Sequence, residues 1–379
     1  MNKQFKILGI LGSGQLARMS AIAAKRLGYE VYIYCNAPDV SPAELVATKT
    51  FKGHFDDKVA LLIFASLCDF VTLENEFISL RCLEYLDENK PNCLFPSSKT
   101  FKLTGDKISE KNHFKEMGIP VAPFLKVLNP KEVIEFAKKH SYPLVLKTSK
   151  GGYDGYGNLT LRNDNDVYEK FHLLKGELLI EAFIPYDMEC AILVARNHAG
   201  ECVTYPIAHT IQENHICHFV SVPAPIDKKS EEQIKEYALR AMKSLDAVGI
   251  FAFEFFITKN KDIYLNESAP RPHNSGHYSI EACETSQFDN HVRAVMNLPL
   301  GPSHMRAPHA LMLNLLGTKV GEARLEPMES FLKVKEGFLH LYGKSKSKPG
   351  RKMGHFTVLG NEPGEILTTL KQLKESYTL

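Results

Sequence analysis

The segment TSKGGYDGYGN, residues 148–158, places Gly151, Gly152, Gly155 and Gly157 directly after an apolar run that carries Lys147. Glycines at that density do not sit in a helix or strand. A loop of this kind can fold backbone N–H groups over phosphate oxygens while Lys147, fixed on a strand, supplies a positive charge. No GxxxxGK[ST] pattern is present, so this is not a P-loop. A surface hairpin is the plainer reading of the same residues, although Tyr153 and Tyr156 are unusual choices for one. A second piece of chemistry lies in FAFEFFITKNKDIYLNES, where Glu254 and Glu267 flank a turn at Asn260-Lys261. A two-residue turn there pairs Ile257 with Tyr264 and sets Glu254 opposite Glu267. Like charges facing each other at about 5 Å destabilise a sheet, and phenylalanines at 251, 253, 255 and 256 make the surroundings apolar. A divalent cation resolves the conflict. Magnesium suits it, because it takes one or two carboxylates and completes its shell with water and phosphate oxygens. A register different by one residue would instead turn one glutamate to solvent.

Four further stretches are chemically suggestive. GSGQLA at 12–17 is a GxGxxA turn, where a helix N-terminus can face an anion or the glycines can let helix and strand pack closely. A dinucleotide site needs an acid at the end of the following strand, but EVYIYCNAP has Cys35 and Asn36 there and Asp39 only after Pro38, which disfavours an NAD enzyme. In EAFIPYDMEC, Glu181 and Ile184 precede the break at Pro185 and Glu189 follows it. Beside a phosphate loop, such a segment can bond a purine edge with its backbone while a carboxylate accepts from ribose hydroxyls. NESAPRPHNSGHYSIEA crowds Arg271, His273, Asn274, Ser275 and His277 behind Glu267, as a substrate site or a helix cap. KSKSKPGRK, with Lys344, Lys346, Lys348, Arg351 and Lys352, reads as a solvated loop whose Pro-Gly-Arg end can present Arg351 to a phosphate.

These residues need a scaffold of several layers. Phe5–Leu11, the glycine turn, a helical pattern of Leu16, Met19, Ile22, Ala23 and Leu27, then Gly28 and EVYIY form a β-turn-α-β unit. LLIFASLCDFVTL and NCLFPS are expected to add strands, so residues 1–105 read as a doubly wound α/β domain. A helix starting at Asp106-Lys107 opens a compact section over 106–185 that carries the strand PLVLKTS and the glycine loop. Residues 186–310 supply long strands, a helix near EEQIKEYALRAMKSL and the carboxylate hairpin, which together form the main sheet. Residues 311–379 form a small β-rich appendix.

The chain of 379 residues is two to three domain-lengths on a prior of about 150 residues each. Its 46 Lys plus Arg against 44 Asp plus Glu leave +2, so no global field points to nucleic acid or a membrane surface. Eight cysteines lie scattered without a CxxC pair or metal spacing and read as reduced thiols. The N-terminus runs straight into a strand, with no signal-peptide core and no apolar run of membrane-spanning length, so the expected location is the cytoplasm.

The ordered set GSGQLARM, LTGDK, LVLKTSKGGYDGYGN, EAFIPYDMEC, FAFEFF, LNESAPRPHNSGH, SQFDNHVRA and KPGRKMGH resembles the N5-carboxyaminoimidazole ribonucleotide synthetases, ATP-grasp ligases of purine biosynthesis. The match runs from the first strand to the basic loop, and GGYDG and NSGH are specific to this branch. The resemblance implies an ATP-grasp fold with an N-terminal Rossmann-like domain and a small C-terminal β-rich subdomain. It also implies that ATP lies between the middle lid and the third section, and that the protein is a homodimer. Lys107 and Lys147 then contact the phosphates beneath a loop in which Gly152, Tyr153, Asp154, Gly155, Tyr156 and Gly157 close over ATP. Glu181, Ala182, Phe183 and Ile184 frame the adenine, Glu189 meets the ribose, and Glu254 and Glu267 hold magnesium with Asn266 beside them. Ribonucleotide binding falls to Gln15, Glu74, Tyr153, Asp154, His273, Asn274 and Ser275, with Lys344, Arg351 and Lys352 on its 5′-phosphate. Lys147, Glu267 and Arg271 are the expected catalytic residues. The implied reaction phosphorylates bicarbonate with ATP and passes the carboxyl group to the amine of 5-aminoimidazole ribonucleotide, releasing ADP and phosphate. Two positions depart from the family pattern: Tyr156 stands where relatives commonly carry arginine, with Arg271 as one replacement, and Gln212 stands where a nucleotide-contacting histidine is common. Competing readings are another ATP-grasp ligase, such as a formate-using glycinamide ribonucleotide transformylase or a biotin carboxylase, and a nucleotide-binding regulatory protein without turnover.

Overall fold

The computed structural model describes residues 6–37, 40–76, 78–151, 157–213 and 216–379. The expected loop residues Gly152, Tyr153, Asp154, Gly155 and Tyr156, and Asp39, lie outside the described residues. Strands Lys49–Lys52, Glu30–Cys35, Ile7–Leu11 and Phe70–Leu73 stand in that order in a parallel sheet. Both faces are covered, which is why ILGIL is buried at every position. Leu8, Ile10, Val31 and Ile33 face the helix Gln15–Arg26, while Leu11, Tyr34, Val71 and Leu73 face Leu61, Phe64, Leu83 and Leu86. The first face is also closed by Phe288, Val292 and Val295 from the distant helix Gln287–Val295.

Two segments expected as strands differ. In the stretch LLIFASLCDFVTL, residues 61–73, only Phe70–Leu73 is a strand, and residues 61–67 belong to the helix Lys58–Leu67, whose N-cap Asp57 accepts from Val59 N and Ala60 N. A short apolar run does not reveal its own period, and the cap settles it. NCLFPS contributes only an isolated bridge between Val71 and Leu94.

The middle section is an antiparallel sheet in the order Phe124–Val127, Leu178–Ala182, Leu144–Thr148, Asn158–Leu161. Leu144, Leu146 and Ile180 point into its core with Val133 and Phe136. By the period-two rule, Lys147 and Glu181 fall together on the other face. The helix Lys107–Glu116 precedes this sheet and begins as expected, with Asp106 accepting from Ile108 N and Ser109 N. Asp106 also accepts from Ser149 Oγ, and Lys107 N donates to Ser149 O, so the helix start is tied to the end of the Lys147 strand.

All but two of the remaining strands build one nine-stranded sheet, while Gly321–Glu322 and Lys346–Ser347 pair with each other apart from it. Ile263–Ala269, Gly249–Thr258, Tyr186–Arg196, Ala208–Glu213 and Ile216–Val222 are followed by His309–Leu316, Lys352–Gly360 and Gly337–Leu341, with Cys202–Thr204 paired to one side. The C-terminal section is β-rich as expected, but its strands continue the central sheet, because Phe219–Val222 pair with Ala310–Leu313. Phe251, Phe253 and Phe255 bury one face of the central hairpin against Ile234, Ala238 and Met242 of the helix Lys228–Ser244. Glu254 therefore emerges on the opposite face, with Ile250 and Ala252. His291 bolts the first sheet to this one: Ile250 N donates to Nδ1, and Nε2 meets Thr72 Oγ1 at 2.9 Å. Burial pushes that imidazole down to about 4, so it stays neutral.

The hairpin reaches the expected carboxylate pairing by another route. Its loop holds three residues, 259–261, closed by Thr258 N donating to Asp262 O and Lys261 N to Thr258 O. Ile257 therefore opposes Ile263, and Tyr264 opposes Phe256, which corrects the expected Ile257–Tyr264 pair. A bulge at Asn266 then shifts the register by one and leaves Glu254 opposite Glu267. The extra loop residue is Lys261, whose φ of 68° lies in the left-handed region. Lys261→Gly should be tolerated, since its exposed ion pair with Asp227 is worth little. Lys261→Val should cost about 1–2 kcal/mol, because a branched β-carbon clashes in that conformation. Urea denaturation of both variants checks this.

Candidate active site

A cavity of about 1260 Å³ opens where the first sheet, the middle sheet and the carboxylate face of the central sheet meet. Among the described residues it collects Gln15, Glu74, Lys107, Lys147, Glu181, Ala182, Phe183, Ile184, Glu189 and Gln212 from one side. Glu254, Asn266, Glu267, Arg271, His273, Asn274, Ser275, Lys344, Arg351 and Lys352 line the other. Of the described residues expected in the site, Gly157 alone is not in its lining.

The side chain of Glu181 is 4% exposed and stands between two ammonium groups, Lys147 at 2.8 Å and Lys111 at 3.2 Å. Burial by itself raises a carboxyl, but the two lysines outweigh it and bring Glu181 down to about 2. Glu181 thus serves as counter-ion to Lys147, a role its expected place beside a purine does not suggest. Lys107, at the start of the preceding helix, reaches Glu267 Oε2 at 3.4 Å. Glu110, one turn on, accepts from the backbone N and the hydroxyl of Ser268, and burial pushes its carboxyl up to about 7. Neither Glu110 nor Lys111 stands out by motif. Their signal is the spacing DKISEK, which puts 107, 110 and 111 on one helix face.

Glu189 Oε1 accepts from both Thr210 Oγ1 at 2.8 Å and Gln212 Nε2 at 2.7 Å. Gln212 therefore orients a carboxylate with a neutral donor. Glu254 is held well above its ordinary range by burial and by the charges of Glu267 and Glu189. In Glu267 the same burial is more than offset by Lys107 and Lys147, so its carboxyl is lowered. Phe256 stacks on Tyr186 with ring centroids 4.4 Å apart and continues the wall beside this pair.

The loop after Glu267 is internally braced. His273 Nδ1 meets Ser275 Oγ at 2.8 Å and caps the turn at Asn274–Gly276, while Nε2 faces Glu254 at 3.7 Å. Burial pushes His273 well below its usual range. Ser275, 1% exposed, is turned to His273, and Asn274 exchanges amide hydrogen bonds with Asn314. Arg271 lies at 2.8 Å from Glu76 of the first section. In the basic loop, Lys344 Nζ donates to Lys352 O and Arg351 to Lys346 O, and Lys344, Arg351 and Lys352 all line the cavity.

At the GSG turn the choice between anion site and close packing has a definite outcome. Gly14 N donates to Glu74 Oε2 at 2.6 Å, so a carboxylate of the protein itself occupies the helix start. A β-carbon on Gly14 would lie 2.2 Å from Glu74 Oε1, and one on Gly12 2.7 Å from Glu74 Oε2. The glycines exist to let Glu74 in.

Residues 5–104 match the ribonucleotide synthetase preATP-grasp domain, residues 112–288 the ATP-grasp domain, and residues 310–369 the phosphoribosylaminoimidazole carboxylase C-terminal domain. The chain is 36% identical over 355 residues to the N5-carboxyaminoimidazole ribonucleotide synthase of Bacillus subtilis (strain 168), covering 93% of this chain and 91% of that protein. It is similar to the solved N5-carboxyaminoimidazole ribonucleotide synthetase from Thermotoga maritima, with a TM-score of 0.90 and 35% identity across 99% of each chain. It is also similar to the Aspergillus clavatus enzyme solved with ADP and 5-aminoimidazole ribonucleotide, with a TM-score of 0.89 and 31% identity across 98% of each chain.

Removing the charge of Glu181 leaves Lys111 and Lys147 buried without their counter-ion. Glu181→Gln should therefore lose about 3 kcal/mol of stability near neutral pH. A carboxyl lowered on folding contributes fully above its ordinary value of 4.5 and loses that contribution as pH falls toward about 2. The gap between the urea midpoints of wild type and variant should therefore close on acidification below pH 4.5.

Proposed function

The chain belongs to the N5-carboxyaminoimidazole ribonucleotide synthase family of ATP-grasp ligases, and from that premise we propose how its cavity carries out the reaction. It is an ATP-dependent ligase that carboxylates 5-aminoimidazole ribonucleotide in purine biosynthesis. We assign bicarbonate as the carboxyl source and magnesium as the metal, and we place the protein in the cytoplasm as a homodimer. The observation that carries the site reading is the meeting of Lys107 and Lys147 with the opposed Glu254 and Glu267 in one cavity.

The donor set fits magnesium. Two carboxylates are forced together on an apolar hairpin, and among the described residues no group of three or more His, Cys, Asp or Glu is arranged as a complete cage. Glu254 and Glu267 would hold the ion, with Asn266 beside them. Bound there, magnesium supplies charge neutralisation to phosphate oxygens during phosphoryl transfer.

Lys107 and Lys147 bind the phosphates and keep the γ-phosphoryl in line, which is most of what this transfer asks of a protein. Glu181 holds Lys147 in place as its counter-ion, while the backbone from Glu181 to Ile184 meets the adenine. Glu189 keeps Oε2 for the ribose hydroxyls, since Thr210 and Gln212 both occupy Oε1. A bicarbonate oxygen attacks the γ-phosphorus and ADP leaves with the electrons of the broken bond, giving carboxyphosphate. The amine of the ribonucleotide then attacks the carboxyl carbon, phosphate leaves, and the amine gives up a proton. Lys344, Arg351 and Lys352 take the 5′-phosphate, with Gln15, Glu74, His273, Asn274 and Ser275 around the rest of the ribonucleotide and Arg271 near the reacting carboxyl. No covalent nucleophile on the protein is required.

ADP release by the purified protein with magnesium and ATP should require both 5-aminoimidazole ribonucleotide and bicarbonate. Release only with another acceptor, such as glycinamide ribonucleotide plus formate, would overturn the substrate. No release with any acceptor would point to a nucleotide-binding protein without turnover. Glu267→Gln should keep the fold and lose about 1000-fold in turnover. An active Glu267→Gln protein would sink the carboxylate-pair argument.

A further inference from the structure

Lys111 occupies an unusual place. Its side chain is 2% exposed, and it is not among the residues that line the cavity. Its ammonium nevertheless bridges the two sheets that enclose the site. Nζ lies 3.2 Å from Glu181 Oε1 on the middle sheet and donates at 3.1 Å to the carbonyl of Asn266 on the central sheet. A buried lysine ammonium has a strong need for partners once it leaves water, so one hydrogen-bond acceptor and one carboxylate charge hold it in place.

Both acceptors matter to the chemistry. Glu181 is the counter-ion of Lys147. Asn266 is the extra residue of the bulge, and that bulge alone brings Glu267 opposite Glu254 after a three-residue loop has shifted the strands by one. A bulge residue is left out of the ladder, so its carbonyl needs a donor from elsewhere. Lys111 provides one.

We propose that Lys111 is a positioning residue that sets the carboxylate pair and Lys147 at a fixed separation by holding the Asn266 bulge with a hydrogen bond and Glu181 with an ion pair. This rests on the reading of the cavity as the ATP and metal site. It predicts a defect in metal and phosphate handling with no defect in recognition of the acceptor, a split that a general loss of packing does not produce.

The test compares wild type, Lys111→Met and the charge-balanced double variant Lys111→Met/Glu181→Gln. Manganese affinity in the ADP complex is read by electron paramagnetic resonance, folding by circular dichroism, and turnover with 5-aminoimidazole ribonucleotide varied. Lys111→Met should be folded and bind manganese with ADP about 10-fold or more weakly, as expected when the support of a metal ligand is removed. Its kcat should fall about 100-fold while KM for the ribonucleotide stays within about twofold. The double variant, in which Lys147 also loses its counter-ion, should bind manganese no better than Lys111→Met, because the Asn266 carbonyl still lacks its donor. Wild-type manganese affinity in Lys111→Met, or its recovery in the double variant, would show that Lys111 only balances charge and would overturn the proposal. Failure of both variants to fold would make the residue a structural one and overturn it as well. If the wild type binds no manganese with ADP, the reading of the cavity itself falls, and the inference goes with it.

Discussion

A buried carboxylate, Glu181, flanked by two buried ammonium groups is the interaction on which the geometry of the cavity depends. Taken out of water, none of these charges is stable alone, and each is tolerated only because the others are fixed beside it. The arrangement gains specificity from that cost. Lys147 is held by its ion pair with Glu181, so the charge offered to a phosphate is oriented before any ligand arrives. Because Lys111 belongs to neither sheet yet bonds to both, small shifts of one sheet against the other are opposed by electrostatics as well as by packing.

The carboxylate pair illustrates how a local irregularity serves chemistry. Two departures from a regular hairpin, a loop of three residues and a bulge at Asn266, cancel in register at Glu254 and Glu267 and nowhere nearer the turn. The bulge costs a ladder position and leaves polar backbone to be satisfied, which the ammonium of Lys111 does. At the other end of the cavity the first helix is built on the same economy. Its glycines leave room for Glu74, which satisfies a helix-start N–H while standing in the cavity wall.

Much of this is legible in the chain alone, for identifiable reasons. The glycine loop, the paired glutamates and the NSGH loop announce themselves because each uses residue types that a core or a surface has little use for. The expected pairing of Glu254 with Glu267 is met only because the bulge at Asn266 offsets a loop one residue longer than expected, and neither irregularity is legible: Lys261 in a left-handed conformation carries no glycine or asparagine signature. Lys58–Leu67 reads equally well as strand or helix until the Asp57 cap is seen. The continuity of the C-terminal strands with the central sheet depends on pairing between Phe219–Val222 and Ala310–Leu313, some ninety residues apart, which no local pattern encodes. Glu110 and Lys111 are hidden for a related reason. Charged residues on a helix are expected in water, and only the tertiary placement of the DKISEK helix between two sheets buries them.

The helix Gln287–Val295 that closes one face of the first sheet has a consequence for how the chain comes off the ribosome. The four strands and first helix of that sheet are complete long before Phe288, Val292 and Val295 exist to cover Leu8, Ile10, Val31 and Ile33. At elongation speeds of roughly 5–20 residues per second, that apolar strip waits on the order of ten seconds or more for its partner. The N-terminal section is thus an early-made but late-finished unit. Its dependence on a helix from the far side of the chain makes the first and third sections a single folding problem, while the middle sheet, whose core is its own, is free to form in between.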